Sequence, residues 1–499
     1  MINLKFNNNK FQTAFSTNSS NNISIIVGAP GSGKSAFLNC LNLHLQNETK
    51  VPMAIVDIFE ATKGSLLETK DDNHIIDLYT GELSFSNNKS FFINPLELSF
   101  GFDKPTNDDS VLLHTFLSSL FYCKNDTADL NTEKVINYII NNLYNNKKYY
   151  FRGENNLIDF KLNEYGIYNT KLSWKVLTNI FISNNEPNLA YMAHSHSMPL
   201  ISDIISLFEN EKFVNLFCNK INIEKLKNKL NNYINTFTFF NKPTNIHNIE
   251  KTDIELFSLD KNHFNEEEIV SAQIVFLSYL YKELSLESII NENLDILKSK
   301  DIPYFMKKNH LYKSKTRLMI DELHYSSSLF YCISFYQHIV DNIIKRNNID
   351  LILSTHCISF IPFDILKKIN KFYIIDLSRF DYNIIENLGC DILKIKDFHN
   401  NKSLERKTKL PNEYYFYSLI IKKNSFNNFE YNEGKFVFNS LDYWTVALNK
   451  KDNEIVKKLS ILFHKDKVKE ILSIHYPEGN ILKEDTPKKI ANKLIKQYL

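Results

Sequence analysis

Residues 28–35 read Gly28-Ala29-Pro30-Gly31-Ser32-Gly33-Lys34-Ser35, and the apolar run Ile23-Ser24-Ile25-Ile26-Val27 leads directly into them. With the helix-like stretch Ala36-Phe37-Leu38-Asn39-Cys40-Leu41 behind it, the segment has the strand, loop and helix context of a phosphate-binding loop. Glycines let successive backbone N–H groups converge on phosphate oxygens with no Cβ in the way, and the helix N-terminus adds positive potential. Lys34 is expected to reach the β- and γ-phosphates, and Ser35 to offer its hydroxyl to Mg²⁺. The chain is therefore expected to bind a nucleoside triphosphate along the whole segment Gly28 to Ser35.

A hydrolytic site of this kind needs two further groups. One is a carboxylate at the end of a neighbouring strand to hold Mg²⁺ through water, and the other is a base to orient the attacking water. Arg317-Leu318-Met319-Ile320-Asp321-Glu322 supplies an apolar run ending in two acids, with Asp321 expected on the metal and Glu322 on the water. The separation of Lys34 from Asp321 along the chain is large for one such domain, so an insertion is required. Downstream, Leu351-Ile352-Leu353-Ser354-Thr355-His356 is a strand whose polar tip faces the expected γ-phosphate. His356 and Thr355 are both candidates for sensing it, and an ordinary polar strand end is the alternative. Arginines stand only at Arg152, Arg317, Arg346, Arg379 and Arg406. Arg346 is the first candidate to complete a neighbouring subunit's site and Arg379 the second, against a plain surface or helix-capping cation.

The length of 499 residues allows about three structural units. A net charge of +2, from 59 basic and 57 acidic residues, gives no support to a bulk polyelectrolyte partner. The six cysteines form no CxxC pair, so neither a disulfide framework nor a zinc ribbon is indicated, and a reducing cytosol is the natural compartment. No signal peptide opens the chain, and no window approaches the roughly 18 uninterrupted apolar residues of a spanning helix. His194-Ser195-His196 has poor zinc spacing with no third ligand nearby, Asp57 ends a short strand, and His324 reads as helix N-terminal decoration.

Strand texture at 23–27, at Met53–Asp57 and at Phe91–Ile93 is followed by helical periodicity from about Asp108 to Ser285, with one strand candidate at Ile254–Leu259. Strands return at Arg317–Ile320, Leu351–Ser354 and Phe372–Ile375 with helices between, which is βαβ alternation. The tail is mixed, with a hairpin strand at Lys435–Phe438 and helices beyond residue 450. The expected fold is α/β: a RecA-like P-loop NTPase core with a mostly parallel sheet, interrupted by an all-helical insertion. Its expected division is a polar lead-in at 1–22, the core at 23–105 and 311–385, the mainly helical insertion at 106–310, and a mixed extension at 386–499.

The order of these motifs resembles the ATPase half of the conjugation and type IV secretion motor family, nearest the IcmB/DotO type of the Dot/Icm (type IVB) system and its TraU relatives. The resemblance runs through PMAIVDIFEATKGSL at 52–66, INPLELSFGFDKP at 93–105, AHSHSMPLISD at 193–203 and DELH at 321–324. It continues from Gly434-Lys435-Phe436 through Tyr443-Trp444-Thr445-Val446-Ala447-Leu448 to Asp452, and closes at Tyr476-Pro477-Glu478-Gly479. It implies ATP and Mg²⁺ as cofactors, Lys34, Glu322, Arg346 and His356 as catalytic residues, and Ser35 and Asp321 as metal ligands. It also implies a homo-hexamer working with other secretion-system subunits, peripheral at the cytoplasmic face of the inner membrane.

Two departures from the family stand out. His356 occupies a position where the family usually carries Gln. The chain also starts almost at the P-loop, so it is expected to be the motor half, its N-terminal domain supplied by a separate polypeptide or lost through a split or decaying gene. Two alternatives follow: an ATP-binding assembly scaffold without turnover, and a DNA-translocating coupling ATPase. Near-neutral charge and the lack of a membrane anchor count against the second.

Overall fold

In a computed structural model of the protein, the structure describes residues 23–29, 32, 34, 37–38, 53–57, 74–77, 82–84, 92–99, 104–123, 126–145, 162–166, 176, 180–181, 183–184, 186–218, 221–245, 254–258, 264–292, 316–345, 349–378, 380–405, 413–424, 427–439, 459, 462–475 and 487–498. Ten strands lie within them: β1 (Ile23–Val27), β2 (Met53–Asp57), β3 (His74–Asp77), β4 (Glu82–Ser84), β5 (Ile254–Ser258), β6 (Thr316–Ile320), β7 (Ile349–Thr355), β8 (Lys371–Ile374), β9 (Glu413–Lys423) and β10 (Phe429–Asn439). The fold is mixed α/β. The chain divides into two compact units, one of residues 1–75, 317–324 and 343–499, the other of residues 76–316 and 325–342.

The first unit carries strands in the order β10-β9-β8-β1-β7-β6-β2. β1 runs parallel to both β7 and β8, and β2 parallel to β6, while β9 and β10 add an antiparallel hairpin beside β8. Every residue of β1, β7 and β8 is buried, the pattern of parallel strands covered on both faces. The chain leaves β1 for β2, returns through β6 and β7, then crosses β1 to reach β8. That reversal puts a topological switch point at β1, where the carboxyl ends of open parallel strands form a ligand crevice.

Lys34, Phe37 and Leu38 are helical. Phe37 and Leu38 are fully buried, and the Phe37 ring stands 5.6 Å from that of Tyr373 on β8. Toward the C-terminus, Leu459, Val468, Ile471, Leu472, Ile490, Ala491 and Leu494 form a small core of their own beneath helices Lys465–His475 and Pro487–Tyr498.

The second unit is rich in helices, including Asn107–Phe121, Leu130–Asn145, Ile201–Phe208, Ile223–Thr236 and Glu266–Glu292. It also contains β5, so the expectation of an all-helical insertion is corrected: the alternating residues of Ile254–Ser258 do form a strand. The strand expected at Phe91–Ile93 is not one over its described residues, 92 and 93. Their backbone donors go elsewhere: Phe92 N to Asn245 Oδ1 at 2.7 Å and Ile93 N to Phe239 O at 3.2 Å. Next to them, Asn94 N donates to Thr244 Oγ1 at 2.9 Å. Two side chains and the Phe239 carbonyl take the place of a neighbouring strand as partners.

The segments Ile93–Ser99 and Ala193–Leu200 meet in a buried polar network of this unit. Asn94 Nδ2 donates to Pro199 O at 2.8 Å, and Ser195 Oγ to Glu97 Oε1 at 2.6 Å. His194, fully buried, donates from Nε2 to Leu98 O at 3.1 Å, which leaves it a structural donor. Asp109 accepts from Ser99 N and Oγ and from Thr106 N and Oγ1, with Lys282 Nζ 3.9 Å away. Burial pulls the Lys282 ammonium below its ordinary pKa, against the opposing charges of Asp109 and Glu97.

Candidate nucleotide site

The carboxyl ends of the parallel strands are stitched together by backbone hydrogen bonds just beyond the ladders. Gly28 N donates to Thr355 O at 3.3 Å, Asp321 N to Val56 O at 3.0 Å, Leu323 N to Ser354 O at 2.8 Å, and Ile375 N to Val27 O at 2.8 Å. These bonds carry the tips of β1, β2, β6, β7 and β8 into one region.

On the β1 side the described loop residues are Gly28, Ala29, Ser32 and Lys34. A Cβ on Gly28 would lie 2.4 Å from Ser32 Oγ, 3.0 Å from Lys34 Cγ and 3.3 Å from Ile375 Cβ, so only glycine fits this turn unchanged. Ser32 N donates back to Ala29 O at 3.0 Å, curling the loop on itself, while buried Ser32 Oγ has no hydrogen-bond partner among the described residues. A tight cradle with an unused hydroxyl and a buried lysine suits a polyanion. Pro30, Gly31, Gly33 and Ser35 lie outside the described residues, as do Arg346 and Arg379.

Opposite stands the acid pair. Glu322 Oε1 is 3.6 Å from Lys34 Nζ, so the structure brings together a lysine and an acid far apart in the chain. Asp321 is 1% exposed, and its Oδ1 accepts the hydroxyl of Ser354 at the tip of β7. Glu322 has a left-handed backbone, φ 53°, which a glutamate adopts at a cost of about 1–3 kcal/mol. The bonds from Asp321 N and Leu323 N on either side enforce it, and Glu322 N itself approaches Ser354 Oγ at 3.5 Å. Strand β6 thus ends in a sharp turn that sends two successive carboxylates to different places.

Two imidazoles complete the surroundings of Glu322. His356 Nε2 is 3.1 Å from Oε1, and His324 Nδ1 is 3.2 Å from Oε2. Tautomers with the proton on those nitrogens suit a facing carboxylate. The two rings lie 4.3 Å apart. Burial alone would raise the Glu322 pKa; the close approach of His324 and His356 and the charge of Lys34 overcome it and hold the carboxyl well below its ordinary range. Lys34 moves down as well, because burial strips water from the ammonium faster than Glu322 and Asp321 compensate. The carboxylate faces two imidazoles and an ammonium, whereas that ammonium stands 3.6 Å from Glu322, beyond hydrogen-bond distance. A phosphate would supply what Lys34 lacks.

Of the residues expected at the site, Gly28, Ala29, Ser32, Lys34, Asp321, Glu322 and His356 are placed within this one unit. His324 is drawn in too, facing the acid as a helix-end residue would not need to. Ser354 is the other participant that sequence reading passed over, and its signal was a hydroxyl at the end of an otherwise apolar strand. Thr355 is fully buried and bonded to the Cys357 backbone, so of the two sensor candidates it is His356 that contacts Glu322. Arg317 is buried inside the sheet beside Asp350, removing one of the few guanidiniums from consideration as a mobile group.

No family model matches the sequence, and no curated protein matches it. Among solved structures, that of VirB4 from Thermoanaerobacter pseudethanolicus is similar at a TM-score of 0.47 and 16% identity, over 75% of this chain and 82% of that one. No described helix is long and apolar enough to cross a membrane.

Proposed function

We propose that this chain is an ATP-hydrolysing motor subunit of a type IV, IVB-like secretion or conjugation system, built on a RecA-like P-loop core. The observation that carries the hydrolytic half is the 3.6 Å approach of Lys34 to Glu322 beside buried Asp321, at the carboxyl ends of β1 and β6. The secretion half rests on the segments at 52–66, 93–105, 193–203, 321–324 and 434–479, with IcmB/DotO and TraU proteins as the nearest types. In this reading the subunits form a homo-hexamer with other secretion components at the cytoplasmic face of the inner membrane, and Arg346 reaches a neighbour's site.

The residues fit Mg²⁺ and ATP. Ser35 and Asp321 would hold the ion, and the loop from Gly28 to Ser35 the phosphates. When bound, the ion neutralises phosphate charge as it builds up. The chain does the rest. Lys34 leaves Glu322 for the phosphates, since an ammonium short of compensation gains most from a polyanion. Ser354 holds Asp321 in orientation from β7. Glu322, relieved of Lys34, keeps His324 and His356 as donors and turns its free lone pairs to the attacking water. His356 lies where it can register the γ-phosphate through that same carboxylate.

Magnesium-dependent phosphate release tests this reading. The wild type is expected to turn over, while Lys34→Ala and Glu322→Gln each lose about 10²-fold or more. Equal rates in all three contradict it. A second reading, an ATP-binding scaffold without turnover, draws on one specific observation: Glu322 Oε1 stands 3.6 Å from Lys34 Nζ and 3.1 Å from His356 Nε2, neighbours that favour the charged carboxylate and weaken it as a proton acceptor. That reading predicts nucleotide binding lost in Lys34→Ala with negligible release in the wild type, and brisk release abolished by Glu322→Gln excludes it.

A further inference from the structure

Glu322, His324 and His356 offer three ligand atoms that lie within 4.8 Å of one another. The carboxylate is buried, while the imidazole side chains are 14% and 25% exposed, so the histidine side of the cluster is the more open one. A tetrahedral ion with bonds of about 2.0–2.2 Å holds its ligands roughly 3.3 Å apart. Each imidazole already stands near that distance from one oxygen of the carboxylate, His356 Nε2 3.1 Å from Oε1 and His324 Nδ1 3.2 Å from Oε2. Since all three ligand atoms lie within 4.8 Å, the remaining edges close by roughly 1.5 Å at most, within the broad torsions of carboxylate and imidazole side chains.

The donor set selects the metal. Two imidazoles and one carboxylate suit zinc-class dications, whereas Mg²⁺ requires an octahedron of oxygens. Coordination needs both ring nitrogens facing Glu322 as lone pairs, so each ring proton moves to the other nitrogen of its ring and none is consumed. Lys34 is the one cation in contact with this carboxylate among the described contacts, and it approaches Oε1 at 3.6 Å. It therefore competes with a metal, and removing it favours one.

We propose that Glu322, His324 and His356 form a three-ligand site for a zinc-class dication, and that filling it withholds Glu322 from the triphosphate. The second half of this statement rests on the hydrolytic reading above; the first does not. Such a site makes turnover sensitive to free transition metal through the residue that orients water.

The test uses the untagged full chain after chelation, with Co²⁺ as the probe because its visible absorption reports tetrahedral nitrogen and oxygen ligands without reference to activity. The wild type is expected to bind one equivalent and to melt at higher temperature with Zn²⁺. His324→Ala, His356→Ala and Glu322→Gln should each weaken binding by more than about tenfold, the scale already lost with an outer-shell partner. Lys34→Ala should tighten it. Melting curves without metal check that each variant folds, and His324→Gln and His356→Gln replace any alanine variant that does not. Absence of binding in the wild type, or undiminished binding in the histidine variants, overturns the site. Phosphate release unaffected by stoichiometric Zn²⁺ overturns the inhibition. A wild type that binds Co²⁺ yet releases no phosphate supports the site and removes the inhibition together with the hydrolytic reading.

Discussion

Glu322 combines a left-handed backbone, near-complete burial, and contacts to one ammonium and two imidazoles. Residues held this way persist only where their neighbours over-determine them, and such positions cluster at functional sites. The carboxyl also ties stability to pH. Its folded pKa lies below the unfolded value, so the unfolded chain takes up the proton first as pH falls. The stability it contributes is complete above the ordinary carboxylate range and is lost as pH drops through that range toward the folded value. Glu322→Gln is therefore expected to flatten the fall in urea midpoint between about pH 5 and pH 3 relative to wild type. Parallel declines contradict the assignment.

At this scale Lys34 was legible in sequence from the glycine spacing of the loop after an apolar run, and Asp321 and Glu322 from closing one. His324 and Ser354 were not, since their roles come from the turn after β6 and the tip of β7 meeting in space. The positive φ at Glu322 has no sequence signal at all, glutamate being an unlikely choice there on steric grounds.

Elements set what those residues can reach. β7 lies between β1 and β6, so its tip touches both the loop side, through Thr355 O, and the acid side, through Ser354. Ser354→Ala removes the hydroxyl from Asp321 while sparing the strand. It is expected to cost about 1 kcal/mol of stability and to raise the Mg²⁺ concentration needed for half-maximal phosphate release. Unchanged Mg²⁺ dependence contradicts the orienting role.

In the second unit the helix Asn107–Phe121 is anchored through Asp109, which gathers four donors and the nearby charge of Lys282. Asp109→Asn leaves a buried ammonium without its nearest acid and is expected to destabilise by about 3 kcal/mol, read as a lower urea midpoint. A loss within experimental scatter contradicts it. Periodicity identified this helix and the long one at Glu266–Glu292, as it did β1, β6, β7 and β8. It misjudged Phe91–Ile93, where the described Phe92 and Ile93 bond to a side chain and a turn of a distant segment instead of to a strand. Strand order was also beyond its reach, because apolar runs reveal that strands exist and not which ones are neighbours.

For the molecule as a whole, the proposal joins two lines of support of different kinds. The chemistry comes from placement: strands from early and late in the chain deliver a lysine and two acids to one end of a parallel sheet. The biological setting comes from sequence segments, of which 93–99 and 193–200 serve in the structure as a buried polar network of the second unit. Their residues were visible in sequence as family-like motifs, while their physical work, satisfying one another's buried donors, became apparent only with the fold. The tail segment at 443–452 lies outside the described residues.

The most direct measurement is a crystal structure of the protein with Mg²⁺ and a non-hydrolysable ATP analogue. The account predicts the triphosphate in the loop from Gly28, with Lys34 Nζ moved off Glu322 onto the phosphates and Asp321 turned to the metal's water shell. A nucleotide bound elsewhere, or one bound with Lys34 still 3.6 Å from Glu322, contradicts it.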